Sequence, residues 1–305
     1  MNDRRFEQHH VDAWREDGFA LIPDFFALGE IEPLRADFAN LYGAYGDIDG
    51  VGQMMNVKAP GDIGKTNYKQ FQHIDKLPYD GSAALNLISM HPALIEFAKA
   101  LLDTPQVHCY QSHTWAKFTG EADFDQAFHC DFGNHTLLVP ADEVRMRTVD
   151  FIFYITDVTD DLGALHYVTK TDAAKVLDPA EVMIPPERQQ ALKAMERSAA
   201  GPSGTLVAHS IDTVHRGTNL TRPNGHRYTM TVGYKAAGND MIGFHVWQTG
   251  PDRPWNNVMD HASPEQLEVL GIPLPGDAYW TPRTLQLTQR RWPEWDMQAY
   301  FDAAR

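Results

Sequence analysis

His129, Cys130 and Asp131 place an imidazole and a carboxylate two residues apart. On an extended strand, positions i and i+2 project to one face. His129 and Asp131 then present a nitrogen and an oxygen donor side by side, while Cys130 turns away. Such a pair, joined by one distant histidine, makes the 2-His-1-carboxylate triad that holds Fe(II) and leaves positions open for a chelating cosubstrate and O2. A lone His-x-Asp is common by chance and carries little by itself.

The segment HRGTNLTRPNGHRYTMTVGY supplies the context. His215 closes a strand-like run, turn residues follow, and Arg227 opens the next strand. A hairpin-like return brings Arg227 back beside the metal. There a guanidinium can grip the far carboxylate of 2-oxoglutarate bidentately while the keto-acid end chelates iron. A surface histidine in a turn and an arginine in an ordinary ion pair is the competing reading. His209, in the middle of LVAHS, is a rival third ligand or a hydrogen-bonded core histidine. His108, His113 and His135 are candidates to line the pocket, with structural or solvated side chains as the simpler reading, and Cys130 reads as a small buried residue.

The elements that must position these groups are short strands. VHCYQSHTWAKF, TVDFIFYITDV, GALHYV, GTLVAHS and RYTMTVGYK are β-branched or aromatic runs bounded by Gly, Pro, Asp or Asn. Their succession, with one helical interruption near 186–199, predicts an all-β sandwich or barrel. They do not alternate with helices, which argues against a Rossmann-like parallel sheet. Before them, residues 6–17 read as an amphipathic helix running into Gly18, 19–23 as a strand, 28–42 as a helix and 92–102 as a helix with Pro in its first turn. Residues 43–80 read as a long loop. Short helices are expected at 263–270 and 294–304. The tryptophans at 247, 255, 280, 292 and 295 resemble a docking surface for the tail, with core packing as their simpler use.

His129-x-Asp131, then His215, then Arg227, taken in order, resemble the phytanoyl-CoA dioxygenase family. WREDGFALIPDFF is similar to that family's N-terminal entry, HPALIEFAKALLDTPQV to its helix before the barrel, and DDLGALHYV to the strand before its Pro-Gly-Ser-His element. Gln111-Ser112, Lys117, HCDF at 129–132 and RMR at 145–147 are locally similar to ectoine hydroxylases. The resemblance implies a mainly β fold with flanking helices: a double-stranded β-helix, or jelly roll, related to the cupins. It implies that His129, Asp131 and His215 hold Fe(II), that Arg227 anchors 2-oxoglutarate, and that Lys117 and Gln111 face cosubstrate or substrate. Positions 111, 113, 115 and 117 share one strand face, in keeping with this. The implied reaction consumes O2 and 2-oxoglutarate, releases succinate and CO2, and hydroxylates a C–H bond of a small substrate. Val168-Thr169-Lys170-Thr171 replaces the family's Pro-Gly-Ser-His, and Asp150 stands where a small hydroxyl residue is expected. These departures leave the iron chemistry intact and argue against ectoine itself. Asp131, in place of Gly or Ala, argues against halogenation. A redox-neutral metal cupin isomerase and a non-catalytic jelly-roll binding protein remain the alternatives.

Composition bounds the partners. The 305 residues carry 26 Lys plus Arg against 41 Asp plus Glu, a formal charge of −15. That balance opposes nucleic acid and anionic membranes as partners and leaves a small-molecule substrate, with a homo-oligomer left open. No apolar run approaches the roughly 20 residues of a membrane span, and the N-terminus has no secretory pattern. With Cys109 and Cys130 as the only cysteines, a reducing cytoplasm is the expected compartment. A single oxygenase domain over 1–305 is the simplest organisation: a helical N-terminal part (1–105), the β-helix core (106–235) and a tail packed on it (236–305).

Overall fold

The computed structural model describes residues 4–43, 73–120, 125–243, 246 and 253–304. Among the described residues nine strands follow in chain order: β1 (Phe19–Ile22), β2 (Ile74–Lys76), β3 (Val107–Phe118), β4 (Thr148–Tyr154), β5 (Leu165–Val168), β6 (Arg197–Ser198), β7 (Leu206–Ser210), β8 (Val214–Gly217) and β9 (His226–Ala236). They form a six-stranded sheet in the order β1-β7-β4-β9-β3-β2 and a three-stranded sheet in the order β6-β5-β8. Every pairing is antiparallel. Two such sheets, facing one another across a shared interior, are the jelly-roll arrangement expected from the strand texture.

The large sheet has two chemically different faces, and β9 shows why. Its sequence from Arg227 reads R-Y-T-M-T-V-G-Y, an alternation of period two. Tyr228, Met230, Val232 and Tyr234 point outward with Phe151 and Phe153 of β4 and with Leu206 and Ala208 of β7. Helices Gln8–Asp17, Leu28–Tyr42 and Pro92–Leu102 cover that face with Trp14, Leu34, Phe38, Phe97 and Leu101. Arg227, Thr229 and Thr231 point the other way, into a cavity between the sheets. Each helix ends as its sequence suggests: Gly18 (φ 91°) takes the left-handed conformation after the first, and Pro92 starts the third.

The tail joins the same core. Val258, Met259, Leu267, Trp280, Leu285, Trp295 and Tyr300 are buried in it, and Trp255 and Trp292 pack against it. Core packing is thus the use of these four tryptophans, while Trp247 lies outside the described residues. Helices occur at Pro264–Glu268 and Gln298–Ala303, close to expectation, and an unexpected one at Pro282–Arg291. Of the segment read as a loop, residues 44–72 lie outside the described residues, but Ile74–Lys76 pairs with β3 as an edge strand. The helical interruption is real at Gln189–Lys193, although 197–198 is strand. One further reading changes: Ala83–Leu102 has the length and mean hydropathy (1.2) of a membrane span, yet 67% of that window is buried inside the protein. Its apolar residues serve the core.

Phe151 is the centre of the outer face, fully buried and stacked on Phe97 at 5.5 Å. Phe151→Ala is expected to destabilise the fold by about 3–5 kcal/mol in urea denaturation, from lost transfer energy plus the cavity left behind. A loss below about 1 kcal/mol would mean that the helices do not depend on this contact.

Candidate metal and anion site

His129 and His215 are joined through their backbones. The amide of His129 donates to the carbonyl of His215 at 2.9 Å and the reverse bond is 3.0 Å, an isolated bridge that adds residue 129 to the free edge of β8. The two rings stand 4.5 Å apart. Each Nδ1 bonds a backbone carbonyl, Ala127 O at 2.8 Å for His129 and Thr213 O at 3.0 Å for His215. A carbonyl only accepts, so Nδ1 carries the proton and each Nε2 offers its lone pair to a metal.

Asp131 does not continue a strand, as the same-face reading required. It adopts a helical conformation (φ −79°, ψ −15°) at the start of the short helix Phe132–His135, which Phe132 N pins to Ile211 O at 3.1 Å. This turn still delivers the carboxylate to the imidazoles: Oδ1 is 3.7 Å from His129 Nε2 and Oδ2 is 3.6 Å from His215 Nε2. Cys130 does turn away, toward Asp212 O. The donor atoms of His129, Asp131 and His215 all lie within 4.8 Å of one another, a set that can hold a metal ion. Burial alone would raise the Asp131 pKa, but the neighbouring His215, the hydrogen bond from His209 and the charges of His209 and His129 hold it far below the carboxylate range. Burial, with the charges of His129 and His209, lowers His215 to about 3, so its imidazole is neutral and ready to ligate at pH 7.

A second grouping, Asp131, Asp150 and His209, also falls within 4.8 Å. Its atoms are already engaged. Asp150 accepts from Tyr110 Oη (2.6 Å), Gln111 Nε2 (2.7 Å) and Thr148 Oγ1 (3.1 Å). His209 bonds Asp131 Oδ2 through Nε2 at 3.1 Å and Tyr167 Oη through Nδ1 at 3.2 Å. Gly233 opposite makes room for this network, since a Cβ there would lie 2.5 Å from Tyr110 Cε1 and 2.6 Å from Asp150 Oδ1.

Arg227 reaches the site by another route than a hairpin. β8 belongs to the small sheet and β9 to the large one, so the 218–225 connection crosses between sheets. In the large sheet Arg227 is the cross-strand partner of Lys117. Both are buried, at 5% and 7% exposure, and neither has a carboxylate partner among the described residues. Arg227 donates to Gly163 O through Nη1, while its buried Nε has no partner. Burial, aided by the charge of Arg227, pushes the Lys117 ammonium well below its ordinary pKa, and burial brings Arg227 down to about 10. Two desolvated cations side by side are a demand for an anion.

One cavity of about 260 Å³ contains both halves, lined by His129, Asp131 and His215 and by Lys117 and Arg227. Gln111 lines it too, but six residues from Lys117 on one strand is about 20 Å of chain. Lys117 is therefore the one beside Arg227, and Gln111 belongs to the far end, with Asn134 and His135. His113 also lines the cavity and is lowered to about 4 by burial and by the Lys76 and His135 charges, whereas His108 is not among the lining residues. Position 115, placed by the sequence on the face shared with Gln111 and Lys117, does line the cavity as Trp115, whereas Tyr154, Thr229 and Thr231 were missed. Strand alternation from Arg227 would have found Thr229 and Thr231, while Tyr154 follows only from the β4–β9 register that sets it opposite Thr229.

No curated protein matches the chain. Among solved structures, the epimerase SnoN from nogalamycin biosynthesis, in complex with Fe3+, alpha ketoglutarate and nogalamycin RO, superimposes with a TM-score of 0.56 at 16% identity, over 80% of this chain and 91% of that one. EctD from S. alaskensis, with 2-oxoglutarate and 5-hydroxyectoine, gives 0.57 at 17% identity over 84% of each chain. The non-heme alpha ketoglutarate dependent carbocyclase SnoK gives 0.55 at 18% identity over 78% and 87%. At such identities these likenesses speak for the fold alone. The family model for Phytanoyl-CoA dioxygenase (PhyH) matches residues 14–222, more than half of the chain, and the protein belongs to that family.

Proposed function

We propose that this protein is an iron(II)- and 2-oxoglutarate-dependent dioxygenase that hydroxylates a C–H bond of a free small molecule. One observation carries the reading: a His-Asp-His donor set and two buried, carboxylate-free cations share a single cavity. A dicarboxylate that chelates a metal at one end needs both halves. The cation pair argues against a redox-neutral metal isomerase, and the donor set argues against a binding protein that has lost catalysis. The fold neighbours SnoN, crystallised with Fe3+ and alpha ketoglutarate, and EctD, crystallised with 2-oxoglutarate, agree with it.

In this reading His129 Nε2, an Asp131 oxygen and His215 Nε2 hold the iron. Arg227 and Lys117 bind the distant carboxylate of 2-oxoglutarate, whose negative charge offsets the burial that lowers both pKa values. Iron, when bound, would activate O2, which is the oxidant: one oxygen atom goes to the succinate formed as 2-oxoglutarate is oxidised with release of CO2, and the other goes to the substrate. The protein orients the substrate carbon from the opposite end of the cavity, where Gln111, His113, Asn134 and His135 offer uncharged or weakly basic hydrogen-bonding groups. Packing of Ile152, Tyr154, Val158 and Leu165 around the cation end keeps water from the reacting atoms.

A free substrate is favoured over a coenzyme A thioester. Among the described residues, the obvious candidates to receive its phosphates are already paired: Arg145 with Glu143 at 2.6 Å, and Arg147 and Lys170 with Asp212 at 3.0 and 3.3 Å. The net charge of −15 adds a repulsive mean field.

The reading is tested by assaying amino-acid derivatives, other free acids and coenzyme A thioesters for substrate-stimulated succinate formation, with product analysis. A free compound is expected to give coupled hydroxylation that His129→Ala, Asp131→Ala and His215→Ala each abolish together with most iron affinity. Turnover of thioesters alone contradicts the substrate assignment. Near-normal activity in His215→Ala, with loss in His209→Ala, contradicts the ligand set.

Arg227→Ala is expected to weaken 2-oxoglutarate binding by roughly 30- to several-thousand-fold, since breaking a buried, hydrogen-bonded charge pair costs about 2–5 kcal/mol at about 1.4 kcal/mol per decade. Calorimetric titration checks this, with metal affinity as the control that should stay put. An unchanged 2-oxoglutarate affinity would transfer the anchor to Lys117.

A further inference from the structure

His209 is the one histidine at the site that the reading above leaves without work. It lies in β7, between β1 and β4 in the large sheet, opposite Phe19 of β1 and Asp150 of β4, and it is 1% exposed. A histidine placed there only to fill the core would satisfy its nitrogens on the nearest backbone, as His129 and His215 do with their Nδ1 atoms. This one spends both nitrogens on side chains. Nε2 meets Asp131 Oδ2 at 3.1 Å and Nδ1 meets Tyr167 Oη at 3.2 Å.

The directions of these bonds follow from their partners. An ionised carboxylate only accepts, so Nε2 must carry a proton and donate it to Oδ2. In the neutral ring Nδ1 then accepts from the Tyr167 hydroxyl, which can donate. Tyr167 is itself fully buried, and its ring stacks on His215 at 5.6 Å and on Phe19 at 4.7 Å, so the hydroxyl has little freedom to leave. The His209 and His215 rings are 4.8 Å apart. A tyrosine, a histidine and a carboxylate thus form a chain whose last oxygen belongs to the metal-binding set. Oδ1, the other oxygen, faces His129 Nε2 at 3.7 Å and is free of the His209 bond, while Oδ2 also lies 3.6 Å from His215 Nε2.

We propose that His209 is a positioning residue for the metal-binding carboxylate: it holds Asp131 Oδ2 by hydrogen bond, so that Asp131 gives the metal one oxygen, Oδ1, and a coordination position stays open for the reaction. Tyr167 fixes the tautomer that makes this donation. The inference rests on the reading of Asp131 as a metal ligand. Outer partners of metal ligands typically alter affinity by about 10- to 100-fold when removed. Without the hydrogen bond, Oδ2 is free to turn to the metal as a second oxygen, which raises the coordination number and fills the open position.

The experiment loads the full-length chain with Co(II) without oxygen, and reads both the dissociation constant and the visible d–d absorption, whose intensity falls as coordination number rises. His209→Leu is expected to weaken Co(II) binding about 10- to 100-fold and to lower the band intensity. His209→Gln, whose terminal amide can donate from nearly the place of Nε2, is expected to recover most of both. Tyr167→Phe keeps the stacked ring and removes the hydroxyl; it should lower the intensity by a smaller amount, and it supplies the readout if the leucine variant fails to fold. An unchanged spectrum and affinity in folded His209→Leu, or in Tyr167→Phe where that variant stands in, overturns the proposal. So does a glutamine variant as impaired as the leucine one, because ring packing then explains the effect. Absence of Co(II) binding by the unmodified protein would instead strike the underlying ligand assignment.

Discussion

Two backbone hydrogen bonds between His129 and His215, at 2.9 and 3.0 Å, join segments 86 positions apart in the chain and set both imidazoles side by side. The donor set is built outward from this bridge. One segment then turns into the short helix that carries Asp131; the other returns through β8 to the small sheet. Because the bridge is backbone, it fixes the ring positions without spending any side-chain group that the metal needs. The carbonyls of Ala127 and Thr213 complete the work by holding both Nδ1 protons, leaving two Nε2 lone pairs aimed at one point.

A second constraint is electrostatic. Burying Lys117 and Arg227 without a carboxylate is unfavourable, and the depressed pKa of each expresses that cost. The large sheet tolerates it because its two faces are chemically separate. The outer face, from Phe151 to Tyr234, is sealed by three helices and the tail, and supplies the hydrophobic stabilisation. The inner face is therefore free to be polar. Apolar packing between the two sheets is left to a smaller cluster that includes Tyr154, Val158, Tyr167 and Val207, beside a cavity whose walls are cationic at one end and ligand-bearing in the middle.

Much of this was legible in the sequence, and the reasons differ from residue to residue. His129, Asp131, His215 and Arg227 stood out because metal and anion chemistry restricts residue type and order more than it restricts conformation. The alternation in β9 and β3 was equally readable, since period two survives wherever one face is buried. Conformation between those points was less so. Asp131 lies on a helical turn that delivers its carboxylate to the same place a strand would have, so the correct juxtaposition followed from an incorrect local geometry. The spacing from His215 to Arg227 fits a hairpin as well as a crossing between sheets, and only the sheet order separates them. Ile74–Lys76 has three residues and no apolar pattern, and Pro282–Arg291 buries only Leu285, so neither offered the periodicity on which an element is recognised. Its Thr281–Thr284 capping box with Pro282 was the available signal.

The central claim is that the metal set and the cation pair are two ends of one binding site for 2-oxoglutarate. The most direct measurement is the dissociation constant of 2-oxoglutarate for the full chain, taken without oxygen in the presence and absence of saturating Fe(II). A two-ended site predicts strong reciprocal coupling: metal tightens 2-oxoglutarate, 2-oxoglutarate tightens metal by the same factor, and glutarate, which lacks the keto group that chelates, binds with little response to metal. Equal affinity for 2-oxoglutarate with and without Fe(II) would contradict the account.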